Sequence, residues 1–466
     1  MKYLSILYVA LLFLVFSCNQ KEYSNARITV AGQLENSEVD EIEVFIGDEM
    51  SSFSIHEDGS FLIQFDSDDP KTYAFRSDRI FFSLFLSPDD SIHLTTDAKD
   101  FKNTFKLSGD KVLENTYLFE KSNFYYDSNM MGLLEQDKAS YFEGKDKFFS
   151  KQKDRFERLV KEEEVDPDFL KIEEAYFEFE PLMFDIQYPN YQAYINDIKV
   201  EEVDFPNEET KAKLTQIDLG RADLLNARSY TSIIDFIIDE KTSEIISQDT
   251  SLKDVPDSHE KATFLAMENL LKNQNVKDYF HYSHVKSKLD YQGPVHTKPS
   301  IDKFMAENQS PKLEDKLIKA MDKWAPIMPG EEVPDFSFVN VASDDVKLSD
   351  LRGTLVYIDI WATWCKPCIA EHPHWDKLKE EYEGKPISFL TISIDDNKES
   401  WIKMVEDKNM EGLQWLTENA WKSDITRHFM VYSIPRFFLL DKEGRIIDSS
   451  AERPSGNIKA ILDKYL

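Results

Sequence analysis

The chain has 466 residues, of which 87 are aspartate or glutamate and 55 are lysine or arginine, so its formal net charge is −32 at pH 7. This length exceeds one ordinary hydrophobic core and predicts about three domains. The acidic surplus argues against a nucleic-acid partner, because phosphates bind to basic surface patches. We therefore expect a multidomain protein that does not bind nucleic acid.

The first 18 residues have the pattern of a targeting segment. Lys2 precedes an apolar run from Tyr3 to Phe16, which is long enough for a signal peptide and short for a transmembrane helix. The run ends in Leu14-Val15-Phe16-Ser17-Cys18, which resembles a bacterial lipobox with Cys18 as the lipidated residue. We expect a lipoprotein signal peptide over residues 1–18. An uncleaved anchor with an incidental cysteine is the alternative.

Residues 27–110 are predicted to form an antiparallel β-sandwich. Short strand-like segments flank an Asp58-Gly59 turn, and two more flank Pro88-Asp89-Asp90. Turns of this composition between such segments are typical of β-hairpins, and several short strands joined in this way indicate a small sandwich. We expect this domain to be a spacer or docking module without catalytic groups.

Residues 111–325 are predicted to be α-helical. Phe149 and Phe156 recur at helical spacing while charged residues fill the opposite face. Asp166-Pro167 predicts an N-cap followed by proline at the first helical position. We expect the aromatic side chains of this region to form its core rather than a binding surface. Closely spaced prolines then indicate a linker over 326–334.

Residues 335–466 have the element order of an α/β domain. An apolar run from Leu355 to Ile360 predicts a buried strand, which delivers Cys365 and Cys368 to the start of a helix. The other predicted elements are a hairpin over 336–348, helices over 369–383, 399–408, 425–429 and 458–466, and strands over 387–394, 437–440 and 446–447.

Cys365 and Cys368 form a Cys-x-x-Cys pair, and Cys18 is the only other cysteine. Two thiols three positions apart on a first helical turn can close a small disulfide, and the helix N-terminus stabilises the thiolate of the first. Lys366 adds a cation beside that sulfur, and Pro367 fits a position where a missing N–H costs nothing. If Cys18 carries lipid, no cysteine remains for a separate structural disulfide, although the signal implies an oxidising compartment. The pair therefore indicates redox chemistry.

A zinc site and a static disulfide are the alternatives for this pair. Zinc needs two further ligands, and the sequence has no second Cys-x-x-Cys motif. His372 and His374 lie two positions apart on the predicted helix, so they point to different faces. We therefore expect no metal, and no cofactor beyond the redox-active Cys365–Cys368 disulfide.

The segment Trp361-Ala362-Thr363-Trp364-Cys365-Lys366-Pro367-Cys368, followed by Glu371 and Pro373, resembles the active site of TlpA/ResA-type thiol-disulfide oxidoreductases. Residues 431–441 are similar to that family's strand with a cis-proline, which would make Ile434–Pro435 the bond that faces the disulfide. The resemblance covers residues 329–466 and implies the thioredoxin fold. The preceding β-domain resembles that of predicted lipoproteins of the Bacteroidetes type.

The predicted site gives its two cysteines different roles. We assign Cys365 as the nucleophile, partly exposed near the helix N-terminus, and Cys368 as the more buried thiol that resolves the mixed disulfide. Asp359 matches the buried acid of thioredoxin, and burial would raise its pKa toward a range that suits a base. Glu371, implicated by the resemblance, is the second candidate base. The residues expected to contact substrate are Trp364, Lys366, Pro367, Ile434 and Pro435.

The expected function is the reduction of disulfides in proteins of the periplasm or cell envelope, with a membrane electron donor that re-reduces the dithiol. A lipid on Cys18 would anchor the chain to the inner or the outer membrane. A peroxiredoxin-like peroxidase is the alternative enzyme, but Ile358 stands where that class needs a proline before Thr363. A non-catalytic binding lipoprotein of the envelope is the alternative outside enzymes.

Overall fold

A computed structural model describes residues 26–46, 49–162, 164–249 and 258–466. The predicted signal peptide and Cys18 lie outside these residues. The chain divides into two compact units, one up to Glu244 and one from Ile245 onward, and this division falls inside the predicted helical domain. Among the described residues, no helix combines the length and the apolar character needed to cross a bilayer.

The first unit contains two four-stranded sheets and a set of helices. Its strands are β1 (Ala26–Glu35), β2 (Glu41–Ile46), β3 (Glu49–Ser54), β4 (Ser60–Ser67), β5 (Lys71–Ser77), β6 (Ile80–Leu86), β7 (Ser91–Asp97) and β8 (Lys106–Gly109). One sheet has the order β4-β1-β7-β8 and the other β3-β2-β5-β6. Apolar side chains from both sheets, among them Ile28, Val44, Phe61 and Phe75, form a single core. This shared core explains the alternation of apolar residues along the strands.

The strand pairing differs from the sequence prediction in two ways. The turn at Asp58-Gly59 is present, with an antiparallel bridge between Ile55 and Phe61, but beyond this bridge β3 and β4 pair in different sheets. The turn after β6 at Pro88 likewise joins strands of different sheets. Turn residues specify a reversal of the chain but not its hydrogen-bond partner. In addition, β1 and β7 pair in parallel, so the predicted purely antiparallel arrangement is wrong. The long excursion through the second sheet lets the chain re-enter in the same direction.

The described part of the first unit also contains α-helices, of which all but the first follow the strands. They are α1 (Phe101–Thr104), α2 (Val112–Asp127), α3 (Lys138–Leu159), α4 (Pro167–Asn196), α5 (Asn207–Leu214) and α6 (Arg228–Gln248). The predicted cap of α4 is confirmed: the Asp166 side chain accepts from the N–H groups of Asp168 and Phe169, and Pro167 is the first helical residue. Aromatic residues such as Tyr141, Phe148 and Phe184 pack into a common core.

The second unit contains one seven-stranded sheet. The described helices that precede it are α7 (Ser258–Leu270), α8 (Gln274–Glu307) and α9 (Pro311–Asp322). The strands are β9 (Ser337–Asn340), β10 (Asp345–Lys347), β11 (Leu355–Trp361), β12 (Ile387–Ser393), β13 (Leu413–Leu416), β14 (Arg436–Leu440) and β15 (Ile446–Asp448); the remaining helices are α10 (Lys366–Glu381), α11 (Lys398–Asp407), α12 (Asp424–His428) and α13 (Ile458–Tyr465).

The order of this sheet is β10-β9-β13-β12-β11-β14-β15. The central strand β11 pairs in parallel with β12 and antiparallel with β14. Every residue of β11 is buried, as expected for a strand covered on both faces. On one face, Tyr357 packs with Trp375 of α10 and Leu462 of α13. The sequence pattern predicted the other strands of this sheet but not β13.

The predicted linker 326–334 begins in a short 3-10 helix (Ala325–Ile327), and its later residues lie beside β15. The Gly330 N–H donates to the Ile446 carbonyl at 2.7 Å, and the Ile446 N–H donates to the Glu331 carbonyl at 2.8 Å. These bonds satisfy backbone groups of an edge strand.

Candidate functional site

The two cysteines lie where the carboxyl end of β11 turns into α10. Cys365 is the N-cap residue, Lys366 begins the helix, and the Sγ atoms of Cys365 and Cys368 are bonded to each other. The Cys368 N–H donates to the Cys365 Sγ at 3.2 Å, which shows that a helix-terminal donor faces this sulfur. Such a donor favours the thiolate when the bond is reduced.

The burial of the pair departs from one prediction. Cys368 is fully buried as expected, but Cys365 is only 5% exposed rather than partly exposed. Its sulfur is bonded to Cys368 and receives the N–H of that residue, so it lies against the first turn of α10. Lys366 and Pro367 are exposed on that turn.

Asp359 is a buried acid in β11, six residues before Cys365. Its residue exposure is 1%, and its Oδ1 has no hydrogen-bond partner. Burial raises the pKa of Asp359 well above its usual range, and the negative charge of Glu371 raises it further. A carboxyl group with a raised pKa holds its proton to higher pH than an ordinary aspartate does.

Glu371 is also buried, although it belongs to the early part of α10. It is fixed by the loop before α13: the Ser455 N–H and hydroxyl donate to its carboxylate at 3.0 and 2.9 Å. The Arg453 guanidinium lies 3.5 Å from the same group. The carboxylate of Glu371 therefore has donors of its own, whereas the Asp359 Oδ1 has none.

A carboxylate that the sequence analysis missed holds the turn before Cys365. Asp395 follows β12 and accepts from the Thr363 N–H at 2.9 Å and from the Thr363 hydroxyl at 2.7 Å. The Ser393 hydroxyl donates to Asp395 at 2.7 Å. The sequence did contain a signal for this contact, because polar residues at the carboxyl ends of neighbouring parallel strands meet at one edge of a sheet.

An aromatic surface adjoins the disulfide. Trp364 is 55% exposed, and its ring centroid lies 6.1 Å from that of Trp421, which is 41% exposed. The sequence analysis identified Trp364 but not Trp421, because the two residues are far apart in the sequence and meet only in the folded chain. By contrast, Trp361 is fully buried against the His372 ring, with centroids 4.9 Å apart.

The loop that carries Pro435, residues 431–435, is called the proline loop and leads directly into β14. Ile434 and Pro435 are both half-buried, and the bond between them is cis. Arg436, the next residue, pairs with Ile360 in the register of β11 and β14. The loop therefore meets the sheet at the end of β11 that leads to Cys365.

One group among the described side chains could hold a metal ion. Glu268, His281 and Glu307 place ligand atoms within 4.8 Å of one another. However, Lys277 pairs with Glu268 at 3.2 Å, and Lys303 pairs with Glu307 at 2.5 Å. Since each carboxylate has its own ammonium partner, a divalent cation would enter a cluster whose charges are already balanced. We assign no metal to this group.

Comparisons with known proteins concern the C-terminal part of the chain. Residues 328–466 match the family described as Redoxin. The thiol-disulfide oxidoreductase ResA of Bacillus thuringiensis (strain Al Hakam) is 28% identical over 137 residues, which cover 28% of this chain and 78% of that protein. The thioredoxin-like protein YneN of Bacillus subtilis (strain 168) is 31% identical over 123 residues, which cover 26% of this chain and 71% of that protein.

Among solved structures, the thioredoxin domain of a thiol-disulfide oxidoreductase from Bacteroides vulgatus is also similar. It aligns over 30% of this chain and 99% of its own length, with 22% identity and a TM-score of 0.28.

The matched region contains the bonded Cys365–Cys368 pair at the start of α10, and it spans more than two thirds of these relatives. The chain is therefore a protein-disulfide oxidoreductase that belongs to the TlpA/ResA-type thiol-disulfide oxidoreductases, with a thioredoxin-like domain at its C-terminal end.

Proposed function

We propose that this oxidoreductase reduces disulfides in proteins of the periplasm or cell envelope, where a lipid on Cys18 anchors it to a membrane. The apolar run before Cys18 and its lipobox-like end support this location. The Lys366-Pro367 dipeptide lacks the histidine that resemblance associates with strong oxidants, which supports action as a reductant. Each turnover then consumes two electrons, which a membrane donor returns to the dithiol.

The observation that carries the proposal is the Cys365–Cys368 disulfide on the first turn of α10, reached by a strand that carries a buried, unpaired Asp359. The Cys365–Cys368 disulfide needs no third cysteine. A helix-terminal donor and a proton acceptor are thus available to the two sulfurs of one reversible couple.

Reduction begins with the dithiol form. The Cys365 thiolate attacks one sulfur of a substrate disulfide, a mixed disulfide forms, and the other substrate sulfur leaves as a thiolate that takes up a proton. Cys368 then loses its proton and attacks the Cys365 sulfur. This step releases the second substrate thiolate and forms the Cys365–Cys368 bond. Two electrons have passed from the enzyme to the substrate.

Asp359 is proposed to accept the proton of Cys368. Its raised pKa lets it take up that proton near neutral pH and release it when the dithiol is restored. Glu371, fixed by Ser455, keeps the carboxyl group of Asp359 basic through its negative charge. In this proposal Asp359 accepts the proton, and Glu371 raises the pKa of Asp359.

Substrate contacts are proposed for exposed groups around the disulfide. Trp364 and Trp421 offer apolar contact area, and Lys366 offers a cation. The backbone next to Ile434 and Pro435 would pair with an extended segment of the substrate. These contacts favour a flexible or partly unfolded protein chain over a small thiol.

The first unit is proposed to be a spacer or docking module with a β-sandwich. Supporting this, two buried acids among its described residues have partners of their own: Lys145 contacts Asp185, and Glu173 accepts from both Lys121 and Tyr117. Such paired groups hold a fold together rather than take part in chemistry.

The experiment that tests this function traps the substrate. In the Cys368→Ser variant, the mixed disulfide at Cys365 cannot be resolved, so partners stay covalently attached. The full chain with this change is expressed in the native host, and the species released by a reductant are identified by mass spectrometry. The double variant Cys365→Ser/Cys368→Ser is the matched control.

We expect envelope proteins with disulfides to be attached to the single variant and to be absent from the double variant. Equal recovery from both variants would contradict the proposal. Rapid consumption of peroxide by the wild-type chain, with no trapped protein, would favour the peroxidase alternative. The absence of both would favour a binding lipoprotein.

A further inference from the structure

A buried arginine occupies the first position of β14. Arg436 directly follows Pro435, and its exposure is only 8%. Burying a guanidinium is costly unless its N–H groups find acceptors, and an apolar residue of similar size would meet no such cost. Its place next to the proline loop therefore needs a specific explanation.

The guanidinium of Arg436 donates to backbone carbonyl groups on two sides. One Nη donates to the carbonyl of Tyr291 in α8, and the other donates to the carbonyl of Ser449 at 3.0 Å, just after β15. The ring of Trp324 lies 5.8 Å from the guanidinium carbon. Burial lowers the pKa of Arg436 to about 10, so the group remains protonated at neutral pH.

A kink in α8 makes the Tyr291 carbonyl available. Gly293 has φ of 73°, outside the helical region, so the regular helical path breaks two residues after Tyr291. A Cβ atom on Gly293 would lie 2.8 Å from the Trp324 ring, so only glycine fits this packing. The freed carbonyl accepts from Arg436 and also from the Ser450 hydroxyl at 3.1 Å.

A second polar contact joins α8 to the same edge of the sheet. The His296 Nε2 lies 2.8 Å from an Asp448 carboxylate oxygen at the end of β15. Asp448 also accepts the Ser450 N–H at 2.9 Å. Residues that precede the Redoxin match at 328 thus contact β14 and β15 through several hydrogen bonds.

We propose that Arg436 is a positioning residue for protein substrates: it fixes the proline loop 431–435 to the kink of α8, so that residues 274–327 form part of the redox unit. The inference rests on the proposed function, because it assumes that the loop pairs with a protein substrate. Arg436 itself contacts neither sulfur nor substrate. Its loss should weaken substrate binding without changing the chemistry of the dithiol.

The test compares four full-length chains: wild type, Arg436→Gln, Arg436→Lys and Arg445→Gln. Arg445 is the matched control, since it is exposed and donates to the Gly330 carbonyl at 3.1 Å on the other side of β15. Each chain is assayed with insulin as the protein disulfide and with 5,5′-dithiobis(2-nitrobenzoate) as a small disulfide. Thermal unfolding is measured in parallel.

For Arg436→Gln we expect KM for insulin to rise about five- to tenfold with kcat nearly unchanged. The misplaced loop should weaken the binding of insulin and of the transition state equally. The rate with the small disulfide should stay close to that of the wild type. Arg436→Lys keeps the positive charge and can still donate to one of the two carbonyl groups, so it should recover part of the lost insulin binding. Arg445→Gln should match the wild type with both substrates.

An unchanged KM for insulin in Arg436→Gln would overturn the proposal. So would a proportionate loss with both disulfides or the unfolding of both Arg436 variants, since each would assign the side chain to stability alone. A wild-type chain that reduced the small disulfide but not insulin would instead contradict the proposed function, and the role of Arg436 with it.

Discussion

At the scale of single residues, the site contains two buried acids with different surroundings. Asp359 is buried with an unpaired oxygen, whereas Glu371 is buried but bound by Ser455 and Arg453. The free energy cost of ionising Asp359 is set by desolvation and by the neighbouring negative charge. The sequence placed both acids near the cysteines, but it could not tell which one has donors, because Ser455 is 84 residues away from Glu371.

Asp359→Asn should stabilise the protein at alkaline pH. In the wild type, folding raises the pKa of Asp359. At a pH between its pKa in the unfolded chain and its pKa in the native protein, the native state therefore holds a proton that the unfolded chain has lost. The free energy of unfolding therefore falls as the pH rises through this range. At pH 8 we therefore expect the variant to be more stable than the wild type. Urea unfolding from pH 5 to 8 measures this, and a parallel pH dependence in both proteins would contradict it.

The same variant should react more slowly. Without a carboxyl group to accept the proton of Cys368, resolution of the mixed disulfide near neutral pH should slow by about 100-fold. Stopped-flow measurement of the release of a labelled thiol from a preformed mixed disulfide reports this step directly. A rate equal to that of the wild type would remove Asp359 from the mechanism.

Glu371→Gln should shift the pH dependence of the reaction toward lower pH. Removing this negative charge leaves desolvation to raise the pKa of Asp359 but takes away the second cause, so the carboxyl group ionises at lower pH. The pH profile of insulin reduction measures the shift. Glu381→Gln is the control, because Glu381 belongs to the same helix but faces Lys459 at the surface. A profile shifted equally by both changes would contradict the assignment.

At the scale of elements, α8 shows how one glycine can define a contact between helix and sheet. Gly293 breaks the helical path, Trp324 fills the space beside it, and the Tyr291 carbonyl then accepts from Arg436. The sequence predicted helices in this region, and their existence is confirmed. The kink and its partners were not predicted, because Trp324 and Arg436 reach the kink only in the folded chain.

Gly293→Ala should destabilise the second unit by about 1–3 kcal/mol, since alanine must adopt a positive φ and its Cβ would collide with Trp324. Gly384→Ala is the matched control: Gly384 has φ of 75°, but no atom lies within 4 Å of its added Cβ. Thermal unfolding of both variants separates backbone strain from the collision. Equal losses would show that the packing against Trp324 contributes nothing.

At the scale of the whole molecule, local signals in the sequence were reliable and long-range partners were not. The cap at Asp166 and the strand that leads to Cys365 depend on neighbouring residues, and both are found. The strands on either side of Asp58-Gly59 were assigned to one hairpin, yet apart from the bridge between Ile55 and Phe61 they pair in two different sheets. The same limit explains why β13 and the Asp395 contact with Thr363 were missed: each depends on a strand elsewhere in the chain.

The measurement that tests the account most directly is dithiol-dependent reduction of insulin by the full chain and by its Cys365→Ser variant. The wild type should accelerate precipitation of the reduced insulin chains well above the rate with dithiothreitol alone. The variant should show only that background rate, because it lacks the thiol that attacks the substrate and its remaining Cys368 is fully buried. A Cys365→Ser chain as active as the wild type would contradict the central claim that these two sulfur atoms carry the reaction.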